Sequence, residues 1–189
     1  MRFNTKLLHG NKMGDANTGA TLTPVYQSSA FYQPSAEQHE KLFHNKATGF
    51  SYTRINNPTI FAFEERMTTL EGGLASVACA SGMAAITNAL LNIVTCGQEI
   101  VASTSLYGGS IDVFHDFEAF GIKTVFVDIS DVNAVEAAIN ENTRVIFAET
   151  IGNPKLDVVD IEALAELAHQ HNLPLVMDNT VATAYLVKP

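Results

Sequence analysis

The sequence predicts an α/β protein, in which a mostly parallel sheet is covered by helices and an irregular arm precedes it. Two observations predict this fold class. From residue 59 to residue 189, short Val- and Ile-rich runs alternate with segments of helical length and pattern, which is typical of strands buried on both faces. Residues 1–58 are polar and rich in Gly, Asn, Thr, Ser and Gln, with no sustained hydrophobic period. We therefore expect an arm over 1–58 and a sheet domain over 59–189.

The predicted helices are bounded by residues that start or end helices. Pro58 suits a first helical turn, Gly121 suits a helix end, and either Ser130 or Asp131 can cap the helix that follows it. In chain order, helices are predicted over 59–70, 83–94, 110–120, 132–140 and 161–171.

The predicted strands are short apolar runs that lie between these helices. Their length and β-branched content favour strands over buried helix segments. In chain order, strands are predicted over 75–80, 99–103, 123–128, 145–149 and 175–178. A strand that follows each helix implies parallel pairing with helical crossovers.

Composition excludes two classes of partner. The net charge of −9 disfavours a nucleic-acid surface or an anionic membrane surface, because both require basic patches. Residues 74–94 carry no charge and have the length of a membrane span. The Ser81-Gly82 pair interrupts this stretch, which therefore reads as a buried strand, a turn and a core helix. We expect neither a nucleic-acid partner nor a membrane partner.

The cysteines and the N-terminus indicate a cytoplasmic protein. Cys79 and Cys96 show no CxxC spacing, and reduced thiols are the expectation for such a pair. Residues 1–6 lack the apolar run of a signal peptide. No metal-binding spacing and no glycine-rich nucleotide motif occurs in the sequence, so we predict no metal site.

Small, polar and aromatic residues follow the predicted strands at the points where the strands end. They are Ser81, Gly82 and Met83 after the first strand, Tyr107 after the second, Glu149 and Asn153 after the fourth, and Asp178 and Thr180 after the fifth. Ligands of parallel α/β sheets bind outside the carboxyl ends of the strands. This convergence predicts a ligand site at that edge of the sheet.

Each candidate has a chemical role and a plainer alternative. Gly82, at a helix start, can present backbone N–H groups to a phosphate, or it can simply form a tight turn. Tyr107 can stack on a flat cofactor or pack in the core. Asp178 can hold a pyridine nitrogen protonated, as pyridoxal 5′-phosphate chemistry requires, but Glu149 and Asp178 can also serve only as caps or loop acceptors. Arg54, beside Tyr52 in the arm, can bind phosphate or be an unpaired surface residue.

Five ordered motifs carry a resemblance to a known family. They are Ser-Tyr-Thr-Arg at 51–54, Cys-Ala-Ser-Gly-Met at 79–83, Leu-Tyr-Gly-Gly at 106–109, Glu-Thr-Ile-Gly-Asn-Pro at 149–154 and Asp-Asn-Thr-Val-Ala-Thr at 178–183. In this order the chain resembles the Cys/Met-metabolism family of pyridoxal-phosphate enzymes, also called the trans-sulfuration enzymes. The last two motifs are most like those of its O-acetylhomoserine sulfhydrylases. The resemblance implies a fold-type-I large domain.

The resemblance also implies roles for the candidate residues. Ser81, Gly82 and Met83 would bind the phosphate of pyridoxal 5′-phosphate. Tyr107 would stack on the ring and assist proton transfer, and Asp178 would pair with the ring nitrogen, so these two are the catalytic candidates. The remaining cofactor-binding candidates are Asn153 at the ring hydroxyl, Thr180 near the ring plane, Glu149 at the strand end, and Tyr52 and Arg54, which would reach the cofactor of a neighbouring subunit.

The implied reaction is the γ-replacement of O-acetyl-L-homoserine with sulfide, which gives homocysteine for methionine biosynthesis. The implied assembly is a homo-oligomer with shared active sites, arranged as a dimer of dimers. The alternatives are a γ-elimination lyase that acts on methionine or cystathionine, and a non-catalytic truncated fragment. The fragment alternative arises because the family's cofactor-binding lysine and substrate-carboxylate arginine are expected beyond Pro189. The domain would then be incomplete at its C-terminal end.

Overall fold

The computed structural model describes residues 2–10 and 15–189. These residues form two compact units, the first extending to Ala78 and the second covering Cys79–Pro189. The first unit contains α1 (Phe3–His9), α2 (Ala36–Phe43) and α3 (Pro58–Glu71). No helix of the described residues is long and apolar enough to cross a membrane.

Helix α3 confirms the predicted boundaries of the first helix to within one residue at each end. The side chain of Asn57 accepts a 2.8 Å hydrogen bond from the Thr59 amide, and Pro58 occupies the first turn, where a missing N–H costs nothing. Gly72 ends the helix with a φ of 73°, a left-handed conformation that glycine adopts without strain. Helices α1 and α2, of seven and eight residues, were not predicted because elements this short show too few apolar repeats.

The second unit is a four-stranded parallel sheet covered by helices. The strands are β1 (Glu99–Ser103), β2 (Lys123–Val127), β3 (Thr143–Glu149) and β4 (Leu175–Asp178), in the spatial order β2-β1-β3-β4. The helices are α4 (Gly82–Leu91), α5 (Gly108–Glu118), α6 (Val132–Ala138), α7 (Ile161–Gln170) and α8 (Thr183–Leu186). The predicted parallel α/β fold is therefore confirmed.

Alternate residues of the central strands bury opposite faces of the sheet. Ile100 and Phe147 belong to one hydrophobic cluster, together with residues of α4 and α5. Val101 and Ile146 belong to a second cluster, with residues of α6 and α7. Because side chains alternate along a strand, this division places helices on both faces. The carboxyl ends of the strands are therefore bordered by loops.

The strand predicted over 75–80 is wrong. This segment is neither helix nor strand, and it forms no ladder with any strand of the described residues. The Ala78 amide instead donates a 2.8 Å hydrogen bond to Oε1 of Glu64, and the side chains of Leu74 and Val77 are exposed. An apolar run indicates a strand only where a neighbouring backbone can pair with it, and within 2–10 and 15–189 this run pairs with none.

Candidate functional site

The order of the strands creates a crevice between β1 and β3. The chain moves from β1 to β2 on one side and then returns to β3 on the other side of β1. The helices that follow β1 and β3 consequently cover opposite faces. Ligands of open α/β sheets bind at the carboxyl ends of the strands where this reversal occurs. The loops after β1 and β3 therefore form the candidate site, with the end of β4 beside them.

Tyr107 stands at the start of α5, on the β1 side of this crevice. Its backbone N–H donates a 2.7 Å hydrogen bond to Oε1 of Glu149 at the end of β3, which joins the two strand ends across the reversal. Leu106 is buried beneath the loop, whereas the Tyr107 side chain is 52% exposed. The core-packing alternative for Tyr107 is therefore wrong, because its ring faces away from the core.

Gly109 fits closely against the ring of Tyr107. A Cβ atom added at this glycine would lie 2.6 Å from Cε1 of the tyrosine, which is far below a normal carbon–carbon contact. The ring could not keep its orientation beside any larger residue at position 109. The second glycine of the Leu-Tyr-Gly-Gly motif thus determines where the aromatic face lies.

Glu149 and Asp178 form a pair of neighbouring carboxylates at the strand ends. The register of β3 and β4 places them directly opposite each other, so their side chains leave the same face of the sheet. Burial raises the pKa of Glu149, and the negative charges of Asp178 and Asp157 act in the same direction. The hydrogen bond from the Tyr107 amide opposes this rise. Glu149 consequently holds a proton more readily than an exposed glutamate does.

Asp178 is half-buried, and its neighbour Thr180 fixes its orientation. Oδ1 of Asp178 accepts hydrogen bonds from the Thr180 amide at 2.9 Å and from the Thr180 hydroxyl at 2.5 Å. The Oδ2 atom has no hydrogen-bond partner among the described residues. Thr180 thus holds one oxygen of the carboxylate and leaves the other available to a cation.

Ser81 is the N-cap of α4, and Gly82 and Met83 begin its first turn. The Ser81 hydroxyl caps the helix by accepting a 3.1 Å hydrogen bond from the Ala84 amide. The amides of Gly82 and Met83 have no acceptor among the described residues, and a Cβ atom at Gly82 would meet no atom within 4 Å. Free N–H groups beside open space at a helix N-terminus suit a phosphate.

The loop after β3 carries Asn153 and folds back on itself. The Gly152 amide donates a 2.8 Å hydrogen bond to the Asp157 carbonyl, and Ile151 pairs with Val158 in an antiparallel bridge. The Asp157 carboxylate also accepts a 2.5 Å hydrogen bond from the Ser105 hydroxyl. Sequence reasoning assigned no role to Ser105 and missed Asp157. Both residues flank predicted motifs, but nothing in their spacing links two positions 52 residues apart.

Tyr52 and Arg54 lie in the first unit, and the remaining candidates lie in the second. Arg54 stacks on Tyr52, with its Cζ atom 4.6 Å from the ring centroid, which is the geometry of a cation–π contact. Arg54 forms no ion pair with the described residues. Its guanidinium is therefore held in place while its charge is not neutralised.

The second unit offers the groups that pyridoxal 5′-phosphate requires. The ring nitrogen of the cofactor needs a carboxylate, and one oxygen of such a carboxylate has no partner among the described residues. The ring face needs an aromatic side chain, and an exposed one is present. The phosphate needs N–H donors, and two amides at the helix N-terminus have no acceptor among the described residues. Asp178, Tyr107 and Gly82 with Met83 supply these groups. The described residues therefore fit this cofactor.

Comparison with known proteins indicates the same cofactor. The family described as Cys/Met metabolism PLP-dependent enzymes, where PLP is pyridoxal 5′-phosphate, matches residues 4–189. The O-acetyl-L-homoserine sulfhydrylase of Leptospira meyeri is 46% identical over 186 residues, which are 98% of this chain and 42% of that protein. The L-methionine γ-lyase of Pseudomonas putida is 39% identical over 188 residues, 99% of this chain and 47% of that protein. The chain thus spans less than half the length of these relatives.

Solved structures agree with this comparison. A candidate O-acetylhomoserine (thiol)-lyase of Campylobacter jejuni, whose structure carries N′-pyridoxyl-lysine-5′-monophosphate, superposes with a TM-score of 0.94 at 34% identity, over 100% of this chain and 47% of that one. Cystathionine γ-lyase of Lactobacillus plantarum superposes with a TM-score of 0.90 at 40% identity, over the same shares. The parallel sheet, the cofactor-compatible strand ends and the family match together mean that the chain belongs to the Cys/Met metabolism family of PLP-dependent enzymes.

Proposed function

We propose that the protein carrying this chain replaces the γ-acetoxy group of O-acetyl-L-homoserine with sulfide and releases homocysteine and acetate. The observation that carries the proposal is the pairing of Asp178 with Glu149 at the strand ends, joined to Tyr107 by its amide hydrogen bond. The reaction type is supported by the sulfhydrylases of Leptospira meyeri and Corynebacterium glutamicum, which are 46% and 44% identical to this chain.

The phosphate of the cofactor would bind at the start of α4. The amides of Gly82 and Met83 are free to donate to phosphate oxygens, and the partial positive charge of the helix N-terminus favours the anion. Ser81 keeps these amides in position because its hydroxyl caps the next turn.

Asp178 would hold the ring nitrogen in its protonated form through the unpaired Oδ2. The cofactor supplies an electron sink when its ring nitrogen carries that proton. Thr180 keeps the carboxylate in place through two hydrogen bonds to Oδ1. Asn153 would donate to the ring hydroxyl from the loop after β3.

Tyr107 would have two roles at the ring. Its exposed aromatic face would stack on the cofactor, and its phenol oxygen would hold or transfer a proton at the substrate carbon chain. The hydrogen bond to Glu149 anchors the backbone of Tyr107, so the phenol is presented from a rigid loop start.

Tyr52 and Arg54 would bind the phosphate of a cofactor in a neighbouring subunit. Their cation–π contact orders the guanidinium without neutralising it, which suits bidentate phosphate binding. The active protein would then be a homo-oligomer, a dimer of dimers, whose sites are shared across interfaces. Its place would be the cytoplasm, where the exposed thiols of Cys79 and Cys96 stay reduced.

A γ-elimination lyase is the second candidate, because L-methionine γ-lyases are 39–42% identical to this chain. The complete protein should be given O-acetyl-L-homoserine with sulfide, and separately L-methionine alone. Homocysteine from the first mixture, with no methanethiol from the second, supports γ-replacement. Release of methanethiol and 2-oxobutyrate from methionine at a comparable rate would overturn it in favour of the lyase.

A further inference from the structure

A partly buried hydrogen bond joins the two loops that border the crevice. The hydroxyl of Ser105, which is 3% exposed, donates to Oδ1 of Asp157 at 2.5 Å. The Ser105 amide donates in turn to the Ser103 hydroxyl at 3.0 Å, which fixes the turn at the end of β1. The contact therefore links a rigid position after β1 to the loop after β3.

Gly152 is the residue that permits this contact. A Cβ atom at position 152 would overlap both the Ser105 hydroxyl and the Asp157 carboxylate. The glycine is required here for close approach, because its backbone is not left-handed. Asn153, which follows it directly, is consequently held at a fixed distance from the end of β1.

Asp157 closes its own loop as well as joining it to Ser105. Its carbonyl accepts from the Gly152 amide at 2.8 Å, and the Gly152 carbonyl accepts from the Leu156 amide at 2.9 Å. These bonds make residues 152–157 one tight loop. A displacement of Asp157 would therefore displace Asn153 with it.

From this geometry we propose that Asp157 and Ser105 are a positioning pair for cofactor recognition. Ser105 lies two residues before Tyr107, and Asp157 fixes the loop of Asn153, so their hydrogen bond sets the spacing between the ring-stacking group and the ring-hydroxyl donor. The inference rests on the proposed function, because it takes those roles of Tyr107 and Asn153 as given. Neither member of the pair needs to touch the cofactor.

The loop after β2 offers a matched control. There the Ser130 hydroxyl donates to Oδ1 of Asp128 at 2.7 Å, within an exposed turn two residues long. The chemistry is the same serine–aspartate bond, but β2 is an edge strand and lies away from the strand reversal. This bond lies within one turn and does not join two loops, and Ser130→Ala leaves the Asp128 carboxylate in place, so its loss should not affect cofactor recognition.

The test is a fluorescence titration of the complete protein with two compounds. One is pyridoxal 5′-phosphate, and the other is its 3-O-methyl ether, which lacks the free ring hydroxyl. The unaltered chain should bind the first more tightly, and Asn153→Ala should remove that preference. Ser105→Ala and Asp157→Ala should each reduce the preference about tenfold, as expected for a lost hydrogen bond to a charged group. The double variant should be no worse than either single variant, and Ser130→Ala should leave the preference unchanged.

A purely structural role would lower thermal stability or the affinity for both compounds equally, without changing their ratio. An unchanged ratio in correctly folded Ser105→Ala and Asp157→Ala would overturn the positioning role while leaving the proposed function intact. If Asp157→Ala does not fold, Ser105→Ala alone decides the question, and Asp157→Asn, whose amide oxygen still accepts from Ser105, is the conservative control that should retain the ratio. Failure of the unaltered chain to bind either compound would contradict the proposed cofactor site and the inference together.

Discussion

The backbone N–H of Tyr107 donates a 2.7 Å hydrogen bond to Oε1 of Glu149 and so joins the ends of β1 and β3. The acceptor is a buried carboxyl group whose pKa is raised, first by burial and then by the charges of Asp178 and Asp157. Glu149, which anchors the backbone of Tyr107, is therefore also a site of proton uptake. The proton uptake of Glu149 and its hydrogen bond to Tyr107 can be tested separately.

Glu149→Gln should remove part of the pH dependence of stability. A raised pKa means that the folded state binds the proton more tightly than the unfolded state, so stability falls as pH rises from the ordinary value of 4.5 through the folded-state value. Glutamine keeps an acceptor for the Tyr107 amide but does not ionise. Urea unfolding from pH 4 to pH 8 should show a flatter profile for the variant, and parallel profiles would contradict the role of burial.

Gly109→Ala should weaken cofactor binding without destabilising the chain. The added Cβ would displace the Tyr107 ring, at a cost of up to about tenfold in affinity from a lost aromatic contact. Alanine within α5 should meanwhile stabilise the helix by about 0.5–1 kcal/mol. Calorimetry with pyridoxal 5′-phosphate and thermal unfolding measure the two effects.

Gly108→Ala is the control for that variant, because a Cβ at Gly108 meets nothing within 4 Å. It should give a comparable gain in helix stability with unchanged affinity. Equal losses of affinity in both variants would show that the motif's glycines act through the backbone rather than through the position of the ring.

Gly82→Ala should impair phosphate binding selectively. The open space beside Gly82 is where we expect the phosphate, so a methyl group there should lower affinity for pyridoxal 5′-phosphate on the order of tenfold. Affinity for pyridoxal, which has no phosphate, should not change. An equal loss of affinity for pyridoxal would show that the methyl group disturbs something other than phosphate binding, and it would contradict the placement of the phosphate beside Gly82.

The parallel sheet could be predicted from the sequence because its central strands are buried on both faces, so each is a short continuous apolar run that is visible without knowledge of its neighbours. The segment 75–80 has the same apolar character, but a strand also needs a neighbour, which a local pattern does not reveal. Tyr107, Glu149 and Asp178 could be grouped in advance because parallel strands end at one edge. The grouping of 81–83 with them depended on the strand predicted over 75–80, which does not form among the described residues. The facing of Glu149 and Asp178 depends on register, and the bond between Ser105 and Asp157 depends on two loops meeting. Neither relation is encoded in local spacing.

Asp178→Asn should reduce the activity of the complete protein about 100-fold or more, since the neutral amide lacks the negative charge that favours a protonated ring nitrogen. Thr180→Val should have a smaller effect, about tenfold, because it removes the hydroxyl donor to Oδ1 but keeps the amide donor. Steady-state kinetics with O-acetyl-L-homoserine and sulfide measure both. A Thr180→Val loss as large as that of Asp178→Asn would mean that Thr180 contacts the cofactor itself.

Arg54→Ala and Asp178→Ala should complement each other if sites are shared between subunits. Each variant of the complete protein should be inactive alone, because every site lacks either the phosphate arginine or the ring carboxylate. In a mixed dimer, one site receives both defects and the other receives none. Random reassociation of equal amounts should therefore restore about a quarter of the unaltered activity, since half of the dimers are mixed and each has one intact site.

The control for this experiment is a mixture of Asp178→Ala with Gly82→Ala. Both residues lie in the second unit and are proposed to serve the same subunit's cofactor. A mixed dimer then has one defect in each site, so no unaltered site forms and activity should stay at the mean of the two separate variants. Equal recovery above that mean in the two mixtures would contradict the assignment of Arg54 to the neighbouring subunit's phosphate, whereas recovery in the first mixture alone is the result that a shared site requires.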